Sequence, residues 1–177
     1  MQTLVLSESG YPEALLGLSL SHNAPLDRMP KVARRLAHKG GGHNKFLRQI
    51  VVWLDVTAPR YWWQEADTYQ WVVKQSGSTM HTLLKRPLVS DDFEGGLEQA
   101  ELDRLNRIRT EGDRGVEHLL RIKRSLPEGF LQRRIFLANY QSLQTMEAQR
   151  RNHRLPEWRT FLDAVLAGIS RPEFVRP

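Results

Sequence analysis

The chain has 177 residues, no cysteine, 26 Lys and Arg against 20 Asp and Glu, and a net charge of +6. That length suits one domain with a real core, and the missing thiols exclude disulfides, thiolate metal sites and any cysteine nucleophile. With 40% hydrophobic and 26% charged residues the composition is that of a globular protein. No apolar run approaches the ~20 residues that span a bilayer, and MQTLVLSESGYPE has neither basic leader nor long apolar segment. No membrane association and a cytoplasmic location are the expectations. The positive balance favours anionic partners such as nucleotides and folates. A nucleic acid is compatible with the charge, but no dense basic tract or zinc-finger spacing indicates one.

In chain order, a strand is predicted at Thr3–Leu6, followed by a polar stretch around Ser21–Pro30 and a short basic helix over Lys31–His38. Gly40, Gly41 and Gly42 end that helix and precede a lone His43. The β-branched run Ile50–Val56 predicts a buried strand. Pro59 suits the start of a helix, and an aromatic helix is predicted over Arg60–Lys74. The polar segment Gln75, Ser76, Gly77, Ser78, Thr79 then predicts a tight loop whose amides can face an anion.

Helical spacing runs from Leu97 to Arg124, interrupted by Gly112–Gly115. Leu126-Pro127-Glu128-Gly129 breaks the chain. A long helix is predicted from Phe130 to Arg151, which would place Asn139 inside it, and a last one over Glu157–Ile169. The tail beyond Arg171 is expected to fray. The class is α+β, helix-dominated, in a single domain over 1–177.

Two blocks resemble the flavin-dependent thymidylate synthases. The first, His43 to His81, holds a lone His, an apolar strand, Ala58-Pro59, an aromatic segment and a small-residue loop centred on Ser78. The second, Lys123 to Trp158, holds Leu126-Pro127, Asn139, Ser142-Leu143 and Arg150. The resemblance implies a small antiparallel sheet, FAD as cofactor, NADPH as reductant, methylenetetrahydrofolate as one-carbon donor, and dUMP as acceptor. It implies a homotetramer with active sites where subunits meet. It also implies chemistry that needs no cysteine.

Position by position, the resemblance makes Ser78 and Arg150 the catalytic pair. Gln75, Ser76, Gly77, Ser78, Thr79, Lys123 and Arg150 become the substrate-binding set, and His43, Arg60, Tyr69, Gln70 and Asn139 the cofactor-binding set, with no metal. A guanidinium at 150 donates in a fixed fork that suits a phosphate or a carbonyl edge. The chain departs from the family pattern elsewhere. Thr68-Tyr69-Gln70 replaces an Arg-His-Arg triplet, Met80 stands where an arginine is expected, and Arg48 where a carboxylate is. Tyr69 can stack on a flavin ring, Gln70 can bond its edge, and Arg60 is a replacement cation. Two other readings stand beside thymidylate synthesis: a related pyrimidine modification such as hydroxymethylation, and a catalytically silent nucleotide- or nucleic-acid-binding relative.

Overall fold

The computed structural model describes residues 1–177. Four antiparallel strands form one sheet in the order β1-β2-β4-β3. They are β1 (Gln2–Ser9), β2 (Val51–Pro59), β3 (Val73–Ser76) and β4 (Leu131–Asn139). β2 and β4 pair along their whole length, from Val51 opposite Asn139 to Pro59 opposite Leu131.

Side chains alternate across these strands. Val52, Leu54, Val56 and Ala58 from β2, with Phe136 and Ala138 from β4, are buried on one face. Helices cover that face: α1 (Tyr11–His22), α2 (Met29–Leu36), α3 (Arg60–Ala66), α7 (Tyr140–Arg150) and α8 (Pro156–Gly168). A single core of 28 buried residues joins sheet and helices. Trp62, Trp63, Trp158 and Phe161 stack at its centre, with Trp62 and Trp158 centroids 4.8 Å apart. A smaller core of nine residues lies apart, built by α5 (Gln99–Thr110), α6 (Val116–Ser125) and the segment after α4 (Thr79–Thr82).

Three expectations are corrected. The aromatic helix ends at Ala66 rather than Lys74: the chain turns through Asp67–Val72, and Val73–Ser76 becomes an edge strand on β4. β-branched Val72 and Val73 favour that extended path, and β4 offers an unpaired ladder to receive it. The long helix from Phe130 to Arg151 is half strand, because Arg134, Phe136 and Ala138 alternate in register with β2. Asn139 therefore does not lie within a helix. It caps α7, its Oδ1 accepting from the Ser142 amide at 2.9 Å.

The tail does not fray. Phe174 and Val175 are buried, Phe174 packs edge-on against Phe46 at 5.9 Å, and its carbonyl accepts from Gln144 Nε2 at 3.0 Å. Helix α1 and the short α4 were not foreseen. Gly10, at φ 96°, leads into α1 where a Cβ would stand 2.0 Å from the Gln49 carbonyl, so only glycine fits there. Phe174→Ala is expected to cost about 3–5 kcal/mol in chemical denaturation. A change under about 0.5 kcal/mol would mean a loose tail.

Candidate functional site

Where β2 begins and β4 ends, the Asp67–Val72 turn faces the first turns of α7 across a cavity of about 300 Å³. Its walls include Arg48, Tyr69, Gln70, Trp71, Asn139 and Thr145. Tyr69, Gln70 and Asn139, far apart in sequence, are thus brought together. Ser142 Oγ donates to the Gln70 carbonyl at 3.4 Å, tying the turn to α7. Arg48 Nε donates to Gln141 Oε1, and Gln141 donates on to Asn44 Oδ1 at 3.3 Å.

The turn is also held from its other end. Asp67 takes Lys74 at 2.9 Å and Arg134 at 3.1 Å, while the Arg134 guanidinium lies 4.2 Å from the Trp63 ring centroid. Burial pushes the Asp67 carboxyl up, but bonds and charges from Lys74 and Arg134 outweigh it and hold it below the ordinary 3.8.

Beside the cavity, Arg150 is already engaged. Its Nη1 lies 3.1 Å from Glu65 Oε2 and its Nε donates to the Tyr69 hydroxyl at 3.0 Å. Trp158 Nε1 donates to the same Glu65 oxygen at 2.8 Å, and His153 Nε2 stands 3.7 Å from it. Tyr69 in turn donates to Gln149 at 3.0 Å. Glu65, unremarked in the sequence, therefore neutralises the arginine expected to meet substrate.

Ser78 is exposed between β3 and α4. The Gly77 amide donates to the Arg133 carbonyl at 3.0 Å, and the Ser78 carbonyl accepts from the Thr82 amide and hydroxyl. Gln75 and Ser76 belong to β3, and Thr79 opens α4. Lys123, from α6, reaches this loop by donating to Met80 Sδ at 3.4 Å.

Two expected cofactor residues lie elsewhere. His43 is exposed and lines a separate cavity of about 270 Å³ between α1 and the 41–49 segment. Arg60 pairs with Glu128 at 3.3 Å and donates to the Leu126 carbonyl. Trp71 and Arg48 were not assigned to the site from sequence. Trp71 was read as part of a helix, where its exposure could not be foreseen, and Arg48 was noticed only as a departure.

The architecture, a four-stranded antiparallel sheet under a helical layer with a side arm of helices, is the fold of the flavin-dependent thymidylate synthases. The similar solved structures include the enzyme from Helicobacter pylori complexed with FAD and dUMP. It superposes with a TM-score of 0.82 at 14% identity, over 99% of this chain and 98% of that one. A second structure of the Helicobacter pylori enzyme with FAD and dUMP gives 0.80 at 14% identity, over the whole of both chains. No protein-family model and no curated protein matches the chain.

Because the Asp67 carboxyl is lowered, its ion pairs stabilise the fold above the ordinary 3.8, and that contribution is lost as pH falls through the lowered value. Asp67→Asn should therefore lower stability at pH 7 by up to about 1 kcal/mol. The gap to the parent should begin to narrow as pH falls past 3.8 and should close only beneath the lowered value, so it is smaller at pH 3 than at pH 7. Urea melts at pH 7 and pH 3 check the sign.

Proposed function

We propose that this protein is a thymidylate synthase-like flavoprotein that transfers a one-carbon unit from methylenetetrahydrofolate to C5 of dUMP. The observation that carries the reading is the convergence of Tyr69, Gln70 and Asn139 on one cavity, in a fold shared along its full length with proteins that hold FAD and dUMP. The donor set fits a flavin. Tyr69 offers a ring to stack on, the Gln70 and Asn139 amides can bond a polar ring edge, and Arg48 provides positive charge. About 300 Å³ accommodates one moiety of a dinucleotide, so the remainder would lie against a second subunit, in keeping with a homotetramer.

A flavin held by Tyr69, Gln70 and Asn139 would supply, once reduced by NADPH, the hydride that completes the methyl group. In balance, C5 of the uracil exchanges its proton for the methylene carbon, that carbon takes the hydride, and the released proton together with one from solvent caps the two folate nitrogens, so that tetrahydrofolate and NADP⁺ leave. The protein's share is binding and orientation. Ser78 and the Thr79 amide take the nucleotide, with Gln75, Ser76 and Gly77, whose amide is held by the Arg133 carbonyl, leading into that loop, and Lys123 adds charge beside Met80. Arg150, once turned from Glu65, presents its fork to the nucleotide. No thiol takes part.

A second reading is favoured by the Arg150–Glu65 pair together with Thr68-Tyr69-Gln70 in place of a cationic triplet: a catalytically silent relative that binds a nucleotide. Absorption near ~370 and ~450 nm retained after FAD addition and dialysis, with tritium released from 5-labelled dUMP, supports synthesis. A mass spectrum of the product separates methyl from hydroxymethyl. Colourless protein that releases no tritium but binds dUMP supports the silent relative. Glu65→Gln frees the Arg150 charge and should tighten dUMP binding roughly fivefold, about 1 kcal/mol. Calorimetric titration of both proteins checks this, and equal affinities would remove Arg150 from the nucleotide site.

A further inference from the structure

Trp71 combines two features that the packing does not account for. It is 77% exposed, and its φ is 62°, a left-handed conformation that glycine takes freely and a bulky residue does not. Solvent exposure of a large indole forgoes burial, and the backbone strain adds to that loss. Such strain persists where neighbours over-determine it. Here the Gln70 carbonyl is tied to Ser142, the Tyr69 hydroxyl to Gln149 and Arg150, and Val73 enters the β4 ladder opposite Leu137.

Arg48 is the second unusual residue, on the same cavity. The arginines around the Asp67–Val72 turn are neutralised: Arg134 by Asp67 and Arg150 by Glu65. Arg48 has Gln141 as its side-chain partner, through Nε, and pairs with no carboxylate. The cavity walls contain no acidic residue. An anion at this place would therefore meet one uncompensated guanidinium, whose Nη groups are free to bind two oxygens.

We propose that Arg48 and Trp71 form the recognition pair of this cavity, which takes a phosphate carried on a planar heterocycle: the indole stacks on the ring and the guanidinium binds the phosphate. The proposal rests on the reading of the cavity as a nucleotide-type site and adds the residues that determine what it selects. The pair restores by another route the positive charge missing at 68–70 and adds a second ring beside Tyr69. Aromatic stacking of this kind tolerates different rings, so FMN, FAD and dUMP share the required chemistry and are distinguished by titration. Arg48 supplies the preference for a phosphorylated ligand over its dephosphorylated form.

The test uses the full chain titrated with FMN, riboflavin and dUMP, followed by flavin fluorescence and calorimetry. The parent should bind FMN at least tenfold more tightly than riboflavin, about the factor that one charge-assisted hydrogen bond carries. Arg48→Gln should erase that ratio while leaving riboflavin binding unchanged. Trp71→Gly should weaken both flavins alike and leave bound flavin more fluorescent, with a melting temperature equal to or above the parent's, since glycine relieves the φ of 62°. Trp71→Phe should recover most of the affinity. If the parent binds FMN and both variants bind it equally well, the recognition pair is overturned while the flavoprotein reading stands. If the parent binds dUMP but no flavin, and Arg48→Gln weakens dUMP, the pair stands and the flavoprotein reading falls. A parent that binds none of the three overturns the pair as well.

Discussion

The pairing of β2 with β4 is the constraint on which the rest depends. It joins residues 51–59 to 131–139 without a bulge, and its buried face supplies Val52, Leu54, Val56, Phe136 and Ala138 to the main core. Antiparallel register fixes every side chain to one face, because a slip of one residue would turn that set to solvent. The same register sets Val51 opposite Asn139. That correspondence brings the segment ending in Arg48 to the start of α7, and so creates the cavity wall. β3 then adds to the free edge of β4, which obliges the chain after α3 to turn back through Asp67–Val72. The cavity is a geometric consequence of the ladder.

Charge around that turn is distributed unevenly, and the distribution shapes the chemistry. Asp67 and Glu65, close in sequence, face different partners: Asp67 clamps β3 and β4 through Lys74 and Arg134, while Glu65 holds Arg150, Trp158 and His153. Each carboxylate removes an arginine or lysine from the pool available to a ligand. What remains is Arg48 inside the cavity and Lys123 beside the Ser78 loop. The +6 net charge therefore overstates the positive field at the site. A nucleotide that binds here must either displace Glu65 from Arg150 or rely on the two uncompensated cations.

Legibility from sequence followed the strength of the local pattern. The strand at Ile50–Val56 was read because an unbroken β-branched run has few alternatives, and the structure extends it to Val51–Pro59. The final helix, with Pro156 opening it, and the break between α5 and α6 were read for similar reasons. Residues 130–139 were misread as the first half of a helix because Ile135, Phe136 and Leu137 satisfy a helical stripe when the alternation of Arg134, Phe136 and Ala138 is ignored. Asn139 as a cap was the available signal for splitting that segment. α1 went unread although Ala14, Leu15 and Leu18 have helical spacing behind a glycine. Of the cofactor residues that the resemblance implies, Tyr69, Gln70 and Asn139 line one cavity, whereas His43 and Arg60 are turned to other neighbours. Trp71 was invisible as a surface residue because composition cannot distinguish an indole in the core from one in solvent. Glu65 was invisible because an ion pair with Arg150 spans the whole fold.

We propose that one cavity, bounded by residues 45–49, 67–72 and 139–145, is where the ligand binds. Hydrogen–deuterium exchange on the full chain, with and without saturating FAD and dUMP, tests it most directly. The expected result is slower exchange confined to those three segments and to the 75–80 loop. Protection appearing instead on the open sheet face around Gln2–Leu4, Asp55 and Arg133, where a separate cavity lies, or around His43 alone, would contradict it.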